Sequence, residues 1–243
     1  MSEVKTIGFF GDSFCANVNC PGNTNYETYI KKLKNHYEAS LVCFGHGGSS
    51  IYDLFLIQLK KYLEYKIPDV CVLVWSGPDR LFHRDIRNIN FSSAINEDNR
   101  YFNRTKTEES ELIWSTAANY YKYLADMEYI ELQYISILHY IDHTFLPTFE
   151  DKTKFIHMFS YSKSISEKYI PYYNFKTGVQ INPPLFNLSL AGYTTDLATD
   201  NRPNHLEGTY KNQLLFETIK EAIDNYEHGK VLTYTIDEEK NNK

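Results

Sequence analysis

The chain has 243 residues, of which 42% are hydrophobic and 23% are charged, and its formal net charge is −6 at pH 7. A chain of this length can bury a substantial core, which predicts a globular protein of one large domain or two small ones. The negative charge disfavours general nucleic-acid binding, and no window of the sequence approaches the length of a membrane span.

The N-terminus and the cysteines indicate synthesis in the cytoplasm. Charged residues interrupt the first five positions, and the apolar stretch that follows is too short for a signal peptide. The four cysteines form no CxxC pair, and Cys43 and Cys71 lie inside apolar, strand-like runs, which favours buried and reduced thiols. A disulfide between Cys15 and Cys20 is the less favoured alternative.

Strand and helix patterns alternate in the N-terminal third of the chain. Short apolar runs predict strands at 4–10, 40–45 and 69–75, and apolar residues at helical spacing predict helices at 25–38 and 51–65. The third strand is apolar enough to be buried on both faces. This β-α-β-α-β order requires right-handed crossovers, so it predicts an α/β fold with a mostly parallel sheet and helices on both of its faces.

Segments of distinct composition follow along the rest of the chain: polar and irregular at 80–108, helical in one or two pieces at 109–143, strand-like at 153–160, rich in loops at 161–204, helical at 205–229 and strand-like at 230–236. We therefore expect a single domain over residues 1–229, with a helical insertion at 80–150. A C-terminal extension at 230–243 would follow it.

Polar motifs follow the three N-terminal strands. The first predicted strand ends in "GDSF" (11–14), the second in "GHGGSS" (45–50) and the third in "SGPDR" (76–80). In open parallel sheets, ligands bind outside the carboxyl ends of the strands, so we expect the three motifs to converge at one edge. Gly11 permits a tight turn that a β-carbon would hinder.

Ser13 is the candidate nucleophile at that edge. A serine hydroxyl is a weak nucleophile near neutral pH and needs a base, usually histidine. His205 begins the last predicted helix, and the loop "DNRPNHL" (200–206) can carry its imidazole back across the sheet edge. The alternative is that Ser13 caps a helix and that His205 is an exposed loop residue.

Taken together, these four motifs resemble those of the SGNH/GDSL hydrolase family in order and spacing. The resemblance implies a three-layer α/β/α sandwich of flavodoxin-like type. It also implies hydrolysis or transfer of acyl esters through a serine acyl-enzyme, with no metal or nucleotide cofactor. Carried over by position, the resemblance makes Ser13 the nucleophile and His205 the general base. The N–H groups of Ser13 and Gly45 would form the oxyanion hole.

Two of the motifs depart from the family pattern. The family's third motif is Gly-x-Asn-Asp, whose asparagine donates to the oxyanion; here either Asp79 or Pro78 stands at that position, and neither supplies an amide donor. Loss of one such donor costs roughly 100- to 1000-fold in rate. The family's fourth motif is Asp-x-x-His, but here Arg202 precedes the histidine by three, and the nearest carboxylate is Asp200. Asp200 could orient the imidazole, or it could form the turn before Pro203 and leave a Ser-His dyad.

Other motifs have a structural explanation beside a functional one. Arg80 and Arg84 could bind an anionic substrate, or they could pair with a local carboxylate such as Asp85. His139 and His143 share one helix face, but no third metal ligand is evident, which favours a structural role. The glycines of the second motif lack the spacing of a phosphate-binding loop, which disfavours a nucleotide-binding domain.

The sequence therefore predicts a serine esterase that hydrolyses a small acyl ester, such as an O-acetyl group on a carbohydrate. The alternative is a non-catalytic protein of the same fold with a structural or carbohydrate-binding role, for example as a component of a phage or viral virion. The tyrosine-rich helical region at 110–143 is a candidate contact surface for a protein partner, because tyrosine is enriched at interfaces.

Overall fold

The computed structural model describes residues 3–15, 27–46, 49–78, 80–83, 87–90, 94, 107–160, 173–185, 188, 206 and 209–237. The strands are Thr6–Gly11 (β1), Ser40–Cys43 (β2), Val70–Trp75 (β3), Arg80–His83 (β4), Arg87–Asn90 (β5), Lys154–Phe159 (β6), Val179–Asn182 (β7) and Val231–Thr233 (β8). The helices are Tyr29–Tyr37 (α1), residues 51–63 (α2), Glu108–Tyr123 (α3), Met127–Tyr140 (α4) and Thr209–Asp224 (α5). Within α2, Asp53–Lys60 has π-helical hydrogen bonding.

A parallel sheet carries the fold. Its described strands lie in the order β2-β1-β3-β6-β7-β8, and every neighbouring pair is parallel. The five strands β2-β1-β3-β6-β7 follow the flavodoxin-like order, in which β1 lies between the two strands that come next along the chain, β2 and β3. Every residue of β3 is buried, as a central strand covered on both faces requires. The predicted α/β fold with a mostly parallel sheet is confirmed.

Alternate residues of the central strand pack into two cores on opposite faces of the sheet. On one face, Val72 and Val74 pack with helices α1 and α5. On the other face, Leu73 and Trp75 pack with α2 and α4. Successive side chains of a strand point to opposite faces, so this division produces a three-layer α/β/α sandwich. A smaller satellite cluster around Trp114 joins α3 to β5.

Polar residues cap the start of three described helices. The Thr28 side chain accepts the N–H of Lys31 at the start of α1. The Asp126 side chain accepts the N–H of Tyr129 at the start of α4. At α3, Thr107 and Ser110 form a reciprocal capping box. Each cap accepts backbone N–H groups that have no partner within the helix, and it stabilises the folded protein by about 1 kcal/mol. None of the described helices combines the length and the apolar character needed to cross a bilayer.

The structure differs from the predicted elements at two places. β4 and β5 pair in an antiparallel ladder where the composition predicts irregular structure. β7 lies within the segment predicted to be rich in loops. The sequence does not reveal it because 4 residues are too few to show the alternation of apolar and polar side chains that is typical of a strand. The helical region at 109–143 forms two helices, which was one of the two predicted possibilities. The strand-like segment at 230–236 contributes β8, which pairs with β7.

A neutral histidine is buried in β6. The Trp75 indole N–H donates to His157 Nδ1 at 3.1 Å, so the ring proton lies on Nε2, which donates to the Thr177 carbonyl oxygen at 2.7 Å. The imidazole also stacks on Phe175, with ring centroids 3.8 Å apart. Burial lowers the pKa of His157 from 6.5 to about 4, although the Thr177 carbonyl and the charge of Asp142 act in the opposite direction.

This histidine should make the fold sensitive to acid. Above pH 6.5 the imidazole is neutral in both the folded and the unfolded chain, so its pKa shift costs no stability there. As the pH falls below 6.5, the unfolded chain binds a proton that the folded chain does not bind until about pH 4. We expect this group to lower the free energy of unfolding by about 1.4 kcal/mol per pH unit in that interval, or about 3 kcal/mol in all.

Urea unfolding of the wild type and of His157→Gln, measured from about pH 7 down to about pH 4.5, tests this expectation. The two proteins differ at this one side chain, so the difference between the two stability curves reports on the histidine. The same substitution at the exposed His36 is the matched control. Parallel curves for wild type and His157→Gln would contradict the assignment.

Candidate active site

The carboxyl ends of β1, β2 and β3 meet at one edge of the sheet, as the three motifs predict. The His46 N–H, just after β2, donates to the Gly11 carbonyl oxygen at the end of β1, at 3.2 Å. The Ser76 hydroxyl, just after β3, donates to the Ser49 carbonyl oxygen. The Tyr134 hydroxyl of α4 donates in turn to the Ser76 carbonyl oxygen. The first three motifs are therefore in direct contact.

A tight turn after β1 carries Ser13. The Cys15 N–H donates to the Asp12 carbonyl oxygen at 3.1 Å, and the Phe14 N–H donates to Asp12 Oδ1 at 3.1 Å. Asp12 is fully buried, whereas Ser13 is only partly buried. The turn is thus bonded through the main chain and side chain of Asp12, and it leaves Ser13 at the surface, where a nucleophile must be.

Gly11 is required at the end of β1. Its φ of +146° is a conformation that residues with a β-carbon rarely adopt. A β-carbon at this position would lie 2.4 Å from the Val74 carbonyl oxygen and 2.8 Å from Val74 Cβ. Because both of these atoms belong to the buried neighbouring strand, only glycine lets the turn pack this closely against β3.

A buried ion pair lies beside the turn. Arg80 Nη1 lies 3.7 Å from Asp12 Oδ2 and donates to the Ser49 carbonyl oxygen at 2.9 Å. Burial raises the pKa of the Asp12 carboxyl above its usual value, while the Arg80 charge, the Ser160 hydroxyl and the Phe14 N–H act in the opposite direction. Arg80 therefore connects all three strand ends, because it follows β3, faces the turn after β1 and bonds the loop after β2.

Gly45 lies between two residues that are bonded to β1. The N–H groups of Phe44 and His46 donate to the carbonyl oxygens of Phe9 and Gly11 at 2.9 and 3.2 Å. These two bonds hold Gly45 at the end of β2, and its role in an oxyanion hole stays a prediction.

A polar network supports the loop after β2. His46 Nε2 lies 2.9 Å from Asp53 Oδ2, and His46 Nδ1 lies 2.8 Å from the Ser49 hydroxyl oxygen. Burial by itself raises the pKa of Asp53. The hydrogen bond and charge of His46, with hydrogen bonds from Ser49 and Gln58, outweigh burial, so the pKa lies below its usual value. Asp53 is thus a carboxylate near neutral pH.

Ser49, His46 and Asp53 have the composition of a catalytic triad but not its accessibility. Ser49 is fully buried, and its hydroxyl oxygen also lies 3.0 Å from Asp53 Oδ2 and 3.0 Å from the His46 carbonyl oxygen. An ester cannot reach it, so we interpret the network as support for the loop. Sequence analysis missed this network. The one indication of it in the sequence is that two polar residues, Asp53 and Gln58, lie on the otherwise apolar buried face of α2.

Two buried side chains connect the turn after β1 to the segment that precedes α5. The Tyr29 hydroxyl donates to the Phe14 carbonyl oxygen at 2.8 Å, and the Tyr29 N–H donates to Asn212 Oδ1 at 2.9 Å. Asn212 Nδ2 then donates to the Leu206 carbonyl oxygen at 2.9 Å. Phe14 directly follows the candidate nucleophile in sequence, and Leu206 directly follows the candidate base.

Several predicted site residues lie outside the described part of the chain, so their roles stay predictions: His205, Asp200, Asp79, Arg84, Asp85 and Cys20. Cys15, Cys43 and Cys71 carry free thiols. The sheet order and the meeting of the first three motifs agree with the resemblance to the SGNH/GDSL hydrolases.

The two paired histidines contact each other. His139 lies in α4, and His143 lies in the π-helical turn Ile141–Phe145 that directly follows it. The rings of His139 and His143 have centroids 4.1 Å apart. The neighbouring Asp142 is buried, and its carboxylate accepts the N–H groups of Lys176 and Thr177. Among the residues that the structure describes, no group of three or more His, Cys, Asp or Glu side chains is placed to hold a metal ion.

An aromatic groove opens beside Gly45. It has a volume of about 340 Å³, and its lining consists of Phe44, His46, Ile57, Gln58, Lys61, Tyr62 and Tyr65. The Phe44 ring stacks on Phe10 with centroids 5.7 Å apart, yet 40% of the residue is exposed. The groove therefore presents exposed aromatic rings next to a candidate oxyanion donor.

No protein-family model matches the sequence, and no curated protein matches it significantly. Among solved structures, the chain is similar to a catalytic mutant of Axe2, an acetylxylan esterase from Geobacillus stearothermophilus. The identity is 13% over 92% of this chain and 95% of that chain, and the TM-score is 0.42. It is also similar to a carbohydrate esterase (17% identity, 69% of this chain and 52% of that chain, TM-score 0.34). A third similar structure is a protein from Lactobacillus plantarum (12% identity, 96% of this chain and 78% of that chain, TM-score 0.31). Likenesses this distant do not transfer an activity, so the chemistry is inferred from the site itself.

Proposed function

We propose that this chain is a serine esterase of the SGNH type that hydrolyses a small acyl ester. The observation that carries the proposal is the buried connection through Tyr29 and Asn212. It ties the residue after Ser13 to the residue after His205, and so supports a meeting of hydroxyl and imidazole from opposite ends of the sequence. The partly exposed position of Ser13 meets a further need of acyl transfer.

Hydrolysis then proceeds in two halves. Ser13 Oγ attacks the carbonyl carbon of the ester while His205 accepts the hydroxyl proton, and the N–H groups of Ser13 and Gly45 stabilise the oxyanion. Collapse of this intermediate expels the alcohol, which takes the proton from His205 and leaves an acyl-serine. Water then attacks the acyl carbon as His205 accepts its proton, and the second collapse frees the acid and returns the proton to Ser13. Asp200 orients the imidazole through its other ring nitrogen.

Either Asp79 or Pro78 stands at the third oxyanion position, where the family has asparagine, and neither residue supplies an amide donor. An ionised carboxylate at that position repels the developing negative charge instead of donating to it. We therefore propose a slow esterase, because the loss of one donor lowers the rate by roughly 100- to 1000-fold.

The aromatic groove supports a carbohydrate as the alcohol part of the ester. Phe44 and Tyr65 offer flat apolar surfaces for the C–H face of a sugar, and Lys61 offers a donor to its hydroxyl groups. The residues on either side of Gly45 belong to this lining, so a sugar bound there lies next to the proposed oxyanion donor. An O-acetylated sugar is the substrate class that we propose.

A non-catalytic structural or carbohydrate-binding role is the second candidate. Large apolar side chains are exposed on α3, on α4 and between them: Leu112, Tyr123, Leu124, Tyr129, Leu132 and Tyr140. A surface of this kind favours contact with a protein partner, as in the assembly of a virion. The aromatic groove would then bind a sugar without hydrolysing it.

Labelling with a fluorophosphonate tests the esterase proposal, since this probe phosphonylates activated serines. We expect the probe on Ser13 of the wild type, located by peptide mass spectrometry, and no label in Ser13→Ala. Ser115→Ala, which changes an exposed serine of α3, should label like the wild type. Label on a different serine, or a folded wild type that takes up no label, would refute the proposal. Saturable sugar binding without label would establish the second candidate.

A further inference from the structure

The side chain of Gln58, on α2, bonds the end of β1 as a neighbouring strand would. The Gly11 N–H donates to Gln58 Oε1 at 2.7 Å, and Gln58 Nε2 donates to the Gly11 carbonyl oxygen at 3.1 Å. Gln58 is buried, so both bonds are shielded from water. Loss of the amide would leave the buried Gly11 N–H without this acceptor, whereas the Gly11 carbonyl oxygen would keep the N–H of His46.

The same amide also bonds the loop after β2. Gln58 Nε2 lies 2.9 Å from Ser49 Oγ and 3.2 Å from Asp53 Oδ2. Those two groups contact the two ring nitrogens of His46, and the His46 main-chain N–H returns to the Gly11 carbonyl oxygen. A closed ring of hydrogen bonds therefore joins the two loops, and Gln58 is the member that contacts both.

An amide fits this position better than other side chains of its size. The nitrogen has two hydrogens for the acceptors around it, and the oxygen accepts a backbone N–H. Glutamate would keep the acceptor, but it would have no hydrogen to donate and would place a second negative charge beside Asp53. Methionine would fill the space with neither a donor nor a comparable acceptor.

We propose that Gln58 is a positioning residue that sets the spacing between the turn bearing Ser13 and the N–H of Gly45. The effect of this spacing on catalysis rests on the esterase function proposed above. The two N–H groups assigned to the oxyanion belong to different strand ends. Gln58 is bonded to Gly11 at the end of β1 and to Ser49 in the loop that follows β2. Misplacement of either donor weakens binding of the transition state more than binding of the substrate.

Kinetics of Gln58→Met with p-nitrophenyl acetate test this role. We expect kcat to fall by about 100-fold while KM stays within about twofold of the wild-type value. Gln58→Glu should lose at least as much kcat. Gln213→Met, which changes a partly exposed glutamine of α5, should keep the wild-type kcat. An unchanged kcat in Gln58→Met, or a rise in KM alone, would overturn the proposal.

Amide hydrogen exchange tests the positioning without relying on activity. We expect the N–H groups of Gly11 and His46 to exchange at least about 10-fold faster in Gln58→Met than in the wild type, while the N–H of Val72 in β3 keeps its rate. Equal protection in both proteins, or equal acceleration at Val72, would overturn the positioning role. A wild type without esterase activity or label refutes the proposed function, and the exchange result still decides the role of Gln58.

Discussion

Replacement of Ser13 by alanine should abolish esterase activity and leave the fold unchanged. We expect kcat/KM for p-nitrophenyl acetate to fall by about 10³-fold or more, because binding and oxyanion donors alone cannot replace the covalent step. The hydrogen bonds that Asp12 makes to the turn do not involve the Ser13 hydroxyl. Ser13→Ala should therefore keep these bonds and still unfold cooperatively, as a thermal melt would show.

Two other serines provide controls for this result. Ser115→Ala, on the exposed face of α3, should keep the wild-type rate. Ser49→Ala removes a buried hydroxyl from the loop network, so we expect a lower melting temperature and a smaller loss of rate than in Ser13→Ala. Equal rates for wild type and Ser13→Ala would end the catalytic assignment and favour the binding role.

Replacement of Arg80 by methionine should destabilise the protein by about 3–5 kcal/mol near neutral pH. The variant leaves the buried Asp12 without its counter-charge and removes a donor from the Ser49 carbonyl oxygen. Burial already raises the pKa of Asp12 above its usual value of 3.8, and loss of Arg80 raises it further. The destabilisation should therefore be small in acid, where Asp12 is neutral in both folded proteins, and should grow as the pH rises through the raised pKa that Asp12 has in the wild type.

A second substitution isolates the cause of that loss. Urea unfolding at about pH 4 and about pH 7 should show that Arg80→Met/Asp12→Asn recovers most of the stability lost by Arg80→Met, since no charge remains buried. If the double variant is no more stable than the single variant at the higher pH, the charge of Asp12 is not the reason, and the hydrogen bond to Ser49 dominates.

Most of the sheet was predictable because its central strands are continuous apolar runs. β1, β3 and β6 are buried almost throughout, so they stand out from their polar neighbours in the sequence. β4 is only partly buried at every position and offers no such contrast. β7 is too short for its alternation to be recognised, and it is held by pairing with β6 and β8 rather than by local preference.

The meeting of the first three motifs was predictable for a geometric reason, since parallel neighbours place their carboxyl ends at one edge. The supporting side chains were not. Gln58 bonds a glycine 47 positions away, and Arg80 bonds a carbonyl group 31 positions away. A polar residue on an apolar helix face indicates that a buried partner exists, but it does not identify that partner. The roles of His205, Asp200 and Asp79 stay predictions.

The two tryptophans of the chain lie in different clusters, one in the sheet core and one in the satellite cluster of α3 and β5. Their emission therefore reports on separate parts of the molecule. A Trp114→Phe chain fluoresces from the sheet alone, and a Trp75→Phe chain fluoresces from the satellite alone. Comparison of their red shifts during denaturation would show whether the satellite opens before the central layer or together with it.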